Sequence, residues 1–237
     1  MSKLTKERKS HIHPSFFELF LSLPKSIIFN FRVLPFKQAI RIPIFVSHKT
    51  KLIGVKKSTF IVSLPNKPKF GSCRLGLSGS ESGYIIPKKS LVLIRNKGKI
   101  IINGYFGFSR GIYLHCDDGI INFGNNFKAN YNAHISCEHT TLDFGSDCSL
   151  GWDCTIKTCD GHHLFANGKE TVNFGPIQIG NHCWICSKSS IFKNGFLGND
   201  CVLAYGSILN KKISDKNNLL YGGQPAHIVK ENINWEK

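Results

Sequence analysis

Acidic residues are scarce in this chain: 15 Asp and Glu stand against 31 Lys and Arg, a formal net charge of +16 over 237 residues. That imbalance calls for an anionic partner, whether nucleic acid, an acidic membrane surface or a phosphorylated ligand. An RNP-like aromatic–basic motif, a helix-turn-helix pattern and zinc-finger spacing are all missing, so no nucleic-acid partner is expected. Nor does any apolar run reach the roughly 18 residues that a spanning helix needs. The nearest, SIIFNFRVLPFKQAIRIPIFV (26–46), is broken by Arg32, Pro35, Lys37, Arg41 and Pro43. Two readings stay open for it. It lies on a membrane face with its basic side toward lipid phosphates, or it packs against the main domain. The opening, MSKLTKERKSHIHPSFF, lacks an apolar stretch ending in a small-residue cleavage site. Nine cysteines is an odd number, and they are scattered. The expectation is a reducing, cytoplasmic setting with mostly free thiols, and with peripheral contact at the inner membrane face left open.

What the chain does have is a repeat. Stepping by six from Ile179 meets Ile185, Ile191, Leu197, Leu203 and Leu209, all aliphatic. Four places after the first five of these stand Cys183, Ser189, Gly195, Cys201 and Ser207, all small. The same frame holds at Phe144, Leu150 and Ile156, with Cys148 and Cys154 in the small slot, and less cleanly at Phe123, Ala129 and Ile135. A period of six would scatter aliphatics over different faces of a helix. It fits three short strands per triangular turn, each sending one apolar side chain inward, which is a parallel β-helix. The repeat also explains a Cys-x-x-Cys in IGNHCWICSK (179–188), whose spacing suggests a redox dithiol or half a zinc site. Cys183 and Cys186 are the small residues of consecutive hexads, so a structural role is expected for both.

Hexads of this kind followed by YGGQPAHIVKENINWEK (221–237) resemble the hexapeptide-repeat acyltransferases. NFKANYNAHIS (126–136), DGHH (160–163) and IGNHCWIC (179–186) are similar to that family's motifs in the same order. LPKSIIFNFRVLPFKQAIRIPIFV resembles members associated with polysaccharide and lipopolysaccharide biosynthesis. The resemblance implies an all-β, left-handed parallel β-helix, a homotrimer with active sites between subunits, and acetyl-CoA as donor with no metal. The expected organisation is an extension over 1–50, the solenoid over 51–220 with an insertion at about 160–176, and a tail over 221–237 whose helical form is left open.

Acetyl transfer from a thioester to a sugar hydroxyl needs a base for the hydroxyl proton and a donor for the tetrahedral oxyanion. Histidine suits the first role because its pKa lies near working pH. His162 follows Asp160-Gly161 where the hexad is lost, between Ile156 and Ile179, and it matches the family's catalytic Gly-His. Its neighbour His163 is the second choice for the base and a candidate acceptor contact. Asp160 could orient the base, or simply form a turn before Gly161. Asn130 matches an acceptor-pocket asparagine; the alternative is an Asn tolerating a left-handed turn at a solenoid corner. The resemblance places the donor against Trp184, the backbone at Ala204 and Gly206, and Pro225 and Ala226. Lys211, Lys212 and Lys230 are candidates for its phosphates, or members of a solvated basic face.

Three alternatives remain. An amine acceptor would use the same base and groove, giving N-acetylation of an amino sugar. His134 and His139, with His115 or His162, could hold zinc between subunits as in γ-class carbonic anhydrases. A non-enzymatic basic trimer is the third, although the Gly-His and the tail are both retained.

Overall fold

A computed structural model describes residues 14–77 and 88–236. Among these residues the hexads become three parallel sheets, the faces of a triangular solenoid. The first face has nine strands, from β1 (Ile44–Val46) to Ala226–Lys230; the second has seven, from Thr50–Ile53 to Ile208–Leu209; the third has six, from Phe60–Ser63 to Phe196–Leu197. Up to Ile208–Leu209, apart from one inserted hairpin, successive strands take faces one, two and three in turn, and coil stacks on coil; Leu220–Gly223 then returns to face one and Ala226–Lys230 pairs antiparallel with it.

The aliphatic positions form three internal columns. Phe144, Ile179 and Leu197 stack on the third face, Leu150, Ile185 and Leu203 on the first, and Ile156, Ile191 and Leu209 on the second. All nine are buried. Phe123, Ala129 and Ile135 continue the same columns upstream, where the repeat looks blurred for a simple reason. Trp184 pairs with Val202, 18 residues on, but Lys128 pairs with Ser149, 21 residues on. The early coils spend nine residues, not six, turning from the second face to the third.

Wider coils need larger filling. On the first face, the slot before Lys128 holds Phe127, whereas the slots before Ser149, Trp184 and Val202 hold Cys148, Cys183 and Cys201. Phe108, Phe123, Phe127 and Phe144 fill the broad section, with ring centroids 4.5 Å apart for Phe123–Phe127 and 5.3 Å for Phe123–Phe144. In the narrow section the thiols bond to backbone, Cys183 Sγ to Gly198 O at 3.0 Å and Cys154 Sγ to Cys186 O at 3.2 Å. Desolvation pushes the thiol pKa of Cys154 up to about 12, and those of Cys73 and Cys186 to about 11. Such thiols stay protonated and unreactive near neutral pH. A thiol reagent should therefore modify native protein slowly at half-buried Cys186 and hardly at all at the other eight cysteines, with all nine titrating after denaturation. Rapid paired reaction of Cys183 and Cys186 would restore the dithiol reading.

The solenoid begins earlier than residue 51. β1 is fully buried and pairs in register with Cys73–Leu75, so the extension ends near Pro43. Helix α1 (Phe16–Val33) starts at Ser15, whose Oγ accepts from Glu18 N, and stops where Leu34, the residue before Pro35, turns extended, as a pre-proline position favours. A short α2 (Phe36–Ala39) follows. The tail is a β-hairpin of Leu220–Gly223 and Ala226–Lys230, not a helix. Gly223 at φ +101 and Pro225 favour a turn there, and the neighbouring strand Val202–Leu203 offers an edge to pair with. The first thirteen residues of the extension, and Lys237 of the tail, lie outside the described residues.

Candidate active site

The largest interruption of the coil lies at the edge between the second and third faces. Ser149 pairs with Trp184, 35 residues on, which is a coil of 18 with 17 residues inserted, the length of 160–176. The insertion is an antiparallel hairpin of Leu164–Ala166 with Lys169–Thr171. Asn167 and Gly168, both at positive φ, close it. An Asn-Gly pair is the strongest short-range hairpin signal, and the sequence analysis left it unread. A bridge between Cys159 and Phe174 closes the base. Lys193, from the next coil, bonds to Val172 O at 2.8 Å and to the Asp160 carboxylate.

These contacts engage His163 and Asp160 and leave His162 apart. His163 pairs with Glu170 across the hairpin, so its ring braces the loop. Asp160 bonds through its carboxylate to Lys193, and its backbone N–H bonds to Asn173 O at 2.8 Å. His162 is exposed, and no described side chain bonds its ring.

The other predicted residues lie elsewhere. Asn130, Ala204 and Gly206 follow first-face strands at the edge between faces one and two. The turn containing Pro225 comes to the same edge, where Gln224 Nε2 bonds to Gly206 O and Gly223 N to Ser207 Oγ at 3.2 Å. Ala204 N donates to Tyr221 O and Gly206 N to Ser187 O, so both N–H groups are used by the fold. Ala226 is buried while Pro225 is exposed. Asn130 does not take the left-handed corner conformation: that residue is Asn132, at φ 57. Asn130 Oδ1 instead accepts from Tyr131 N at 2.7 Å. The width of one face, about 16 Å for five residues at ~3.3 Å each, separates this edge from the one that carries His162.

Trp184 opens a first-face strand at the third edge, 41% exposed. Trp235, from the tail, lies beside it at 5.8 Å, stacks on His182 at 4.2 Å and donates from Nε1 to His182 O. Lys211 and Lys212 stand exposed near His162's edge, Lys212 paired with Asp215 and set 4.6 Å over the Phe196 ring. Lys230 is exposed on the last strand, opposite Leu220. The sequence analysis missed a cluster beside Ala204 and Gly206. Trp152 and Tyr205 meet edge to face at 6.0 Å, with Lys188 Nζ 5.2 Å from the Trp152 ring centre. The signal was present at equivalent corners, in Gly151-Trp152, Ser187-Lys188 and Ala204-Tyr205.

Among the described residues no three His, Cys, Asp or Glu side chains gather as a metal site. His134 packs edge to face on Tyr113 at 4.4 Å, and His139 pairs with Asp118 at 3.6 Å. His115 bonds through Nδ1 to Ser136 Oγ at 3.1 Å, while its Nε2 is buried without a partner among the described residues. Desolvation outweighs the nearby Glu138 and Asp117 and lowers the His115 pKa. The unfolded chain therefore takes up this proton at a higher pH than the folded one. His115 contributes stability above the unfolded histidine pKa of about 6.5, and that stability is lost as pH falls through the lower folded value. The melting temperature should drop as pH is lowered below neutrality, and less steeply in His115→Gln. An identical slope in the variant would remove His115 from the cause.

No family model matches the chain. The galactoside O-acetyltransferase of Escherichia coli (strain K12) is 31% identical over 129 residues, 54% of this chain and 57% of that enzyme. The polysialic acid O-acetyltransferase of Escherichia coli O1:K1 / APEC is 33% identical over 105 residues, 44% of this chain and 34% of that enzyme. Over these stretches the chain is similar to sugar O-acetyltransferases. It spans about half the length, or less, of these two relatives. The crystal structure of the polySia-specific acetyltransferase NeuO shares the fold, with a TM-score of 0.58, 19% identity and coverage of 82% of this chain and 78% of that one. In this hexapeptide-repeat chain, as the geometry above shows, the predicted site residues divide among three edges of the prism.

Proposed function

We propose that the chain is an acetyl-CoA-dependent O-acetyltransferase that modifies a sugar hydroxyl in a surface polysaccharide or lipopolysaccharide precursor. His162 accepts the hydroxyl proton as the oxygen attacks the thioester carbonyl. The tetrahedral intermediate then collapses, the carbon–sulfur bond breaks, and the proton on His162 passes to the departing thiolate. Acetyl-CoA enters as substrate. The exposed, hydrophobic-stemmed edges suit its extended shape, and the basic candidates Lys211, Lys212 and Lys230 suit its phosphates.

The observation that carries this reading is the placement of His162. It stands exposed on an inserted hairpin, without a bonded side chain among the described residues, while His163 and Asp160 beside it are engaged by Glu170 and Lys193. The acceptor and donor candidates lie one face away, so a working site calls for a neighbouring copy that brings its own edge against this hairpin. The homotrimer implied by the family resemblance supplies that arrangement. The galactoside and polysialic acid acetyltransferases lend support to a saccharide acceptor.

The test is release of free coenzyme A thiol from acetyl-CoA against a panel of oligosaccharides and amino sugars, beside calorimetric binding of coenzyme A. Thiol release that depends on a neutral saccharide supports the proposal. Release only with amino sugars would move it to N-acetylation, and absence of coenzyme A binding would end it.

A further inference from the structure

Helix α1 is amphipathic in the reverse sense for a helix in water. Its buried face carries a polar stripe beside Phe29 and Val33. Ser22, Ser26 and Asn30, four residues apart, are fully buried and bond to the open edge of β1 and the residues after it. Asn30 accepts from Ile44 N at 3.1 Å and donates to Ile44 O at 2.7 Å, Ser26 Oγ accepts from Val46 N at 2.9 Å, and Ser22 Oγ accepts from His48 N at 3.1 Å. The helix thereby covers a sheet edge that would otherwise invite pairing. It cannot roll its apolar side inward without breaking these bonds.

The outward arc carries Phe16, Phe17, Phe20, Ile28 and Phe31, exposed by 85, 69, 65, 60 and 47%. At 100° per residue they span an arc of about 120° opposite the buried face. Phe36 on α2 adds to it at 70%. A contiguous apolar surface of this kind marks an interaction site. The charge around it says what kind. Residues 14–77 contain eleven Lys and Arg and one carboxylate, Glu18, which Arg110 already engages. Arg32, Lys37 and Arg41 are exposed beside the apolar arc. No described helix is long and apolar enough to cross a membrane, so an apolar stripe with basic flanks points to a helix lying in an interface. A second copy of the same basic end would meet like charge, which disfavours self-association there.

We propose that the α1–α2 end of the solenoid docks on the surface of an anionic phospholipid bilayer, with the Phe16–Phe31 stripe in the acyl boundary and Arg32, Lys37 and Arg41 on the headgroups. The position, rather than the chemistry of acetyl transfer, carries this inference, so it stands whatever the acceptor is.

The experiment is flotation of the full chain with vesicles of phosphatidylcholine alone, and with about one-third phosphatidylglycerol. Binding to the anionic vesicles should be at least about tenfold tighter, and should weaken with added salt. Lys37→Glu with Arg41→Glu should lower that affinity by about tenfold or more. Phe16→Ser, Phe20→Ser and Phe31→Ser together should abolish it without changing the melting temperature or the mass in solution. Equal or absent binding to the two vesicle types by the wild-type chain would overturn the proposal. So would a change of oligomeric mass in the triple variant, which would assign the stripe to contacts between copies.

Discussion

Replacing His162 with alanine is expected to lower acetyl transfer by about two to four orders of magnitude, the usual contribution of a positioned general base. Coenzyme A affinity should stay within about twofold, because the lost interaction belongs to the transition state and not to the bound donor. The fold should be untouched, since His162 is exposed and no described side chain bonds it. The neighbouring variant, His163→Ala, makes a sharp comparison. It removes the brace to Glu170 on the same hairpin and should cost less than about tenfold, through looser positioning alone. If the two variants lose activity equally, the hairpin matters as a unit and His162 is not the base. If His163→Ala is the more damaging, the roles are reversed.

The second large effect concerns stability. Gly124, Gly145, Gly180 and Gly198 stack at the edge between the third and first faces, and each lies against the backbone of the coil above. A Cβ on Gly145 would lie 2.6 Å from both Asn181 N and Gly180 C. A Cβ on Gly124 would lie 2.4 Å from Gly145 C and from Ser146 N. These obstacles are backbone atoms within a hydrogen-bonded ladder, Gly145 N to Ile179 O at 2.8 Å among them, so no flexible side chain can yield. Gly145→Ala should destabilise the chain by about 3 kcal/mol or more, at the upper end of overpacking costs. At about 2–4 °C per kcal/mol for a chain of this size, the melting temperature falls by roughly 6–12 °C. Thermal unfolding checks it directly. Gly168→Ala on the hairpin tip, with nothing within 4 Å of the added atom, should be far milder and limited to the strain of a positive φ.

The stacking of coils was legible because each aliphatic position answers to one demand, filling the inside of a triangular turn. Ile179 through Leu209 could be assigned to three faces by counting alone, and the cysteines fell into place as small residues of the same count. Upstream, the count blurred at Phe123 to Ile135 because one corner is three residues longer, and a fixed step of six cannot register a corner of nine. The N-terminal segment was readable as apolar and basic, yet its orientation was not. Ser22, Ser26 and Asn30 look like a surface stripe until a strand edge is present whose N–H and C=O groups they satisfy. At the candidate site, the loss of the hexad correctly marked 160–176 as an insertion, and Asn167-Gly168 would have told its shape. Asp160 and His163 are candidates from their motif alone, and the motif carries no sign of their partners, Lys193 from the next coil and Glu170 across the hairpin. The division of Asn130, Trp184 and His162 among separate edges was out of reach, because the repeat specifies one coil upon the next and carries no pattern for what one solenoid sets against another.

The most direct test of the central claim is the structure of the product. Wild-type protein is incubated with acetyl-CoA and the acceptor found by thiol release, and the saccharide is examined by mass spectrometry and NMR before and after mild alkali. The account predicts one acetyl group on a hydroxyl oxygen, lost on alkaline treatment, and formed only when His162 is present. An alkali-stable acetamide would contradict O-acetylation, and an unmodified saccharide beside undiminished acetyl-CoA would contradict acetyl transfer altogether.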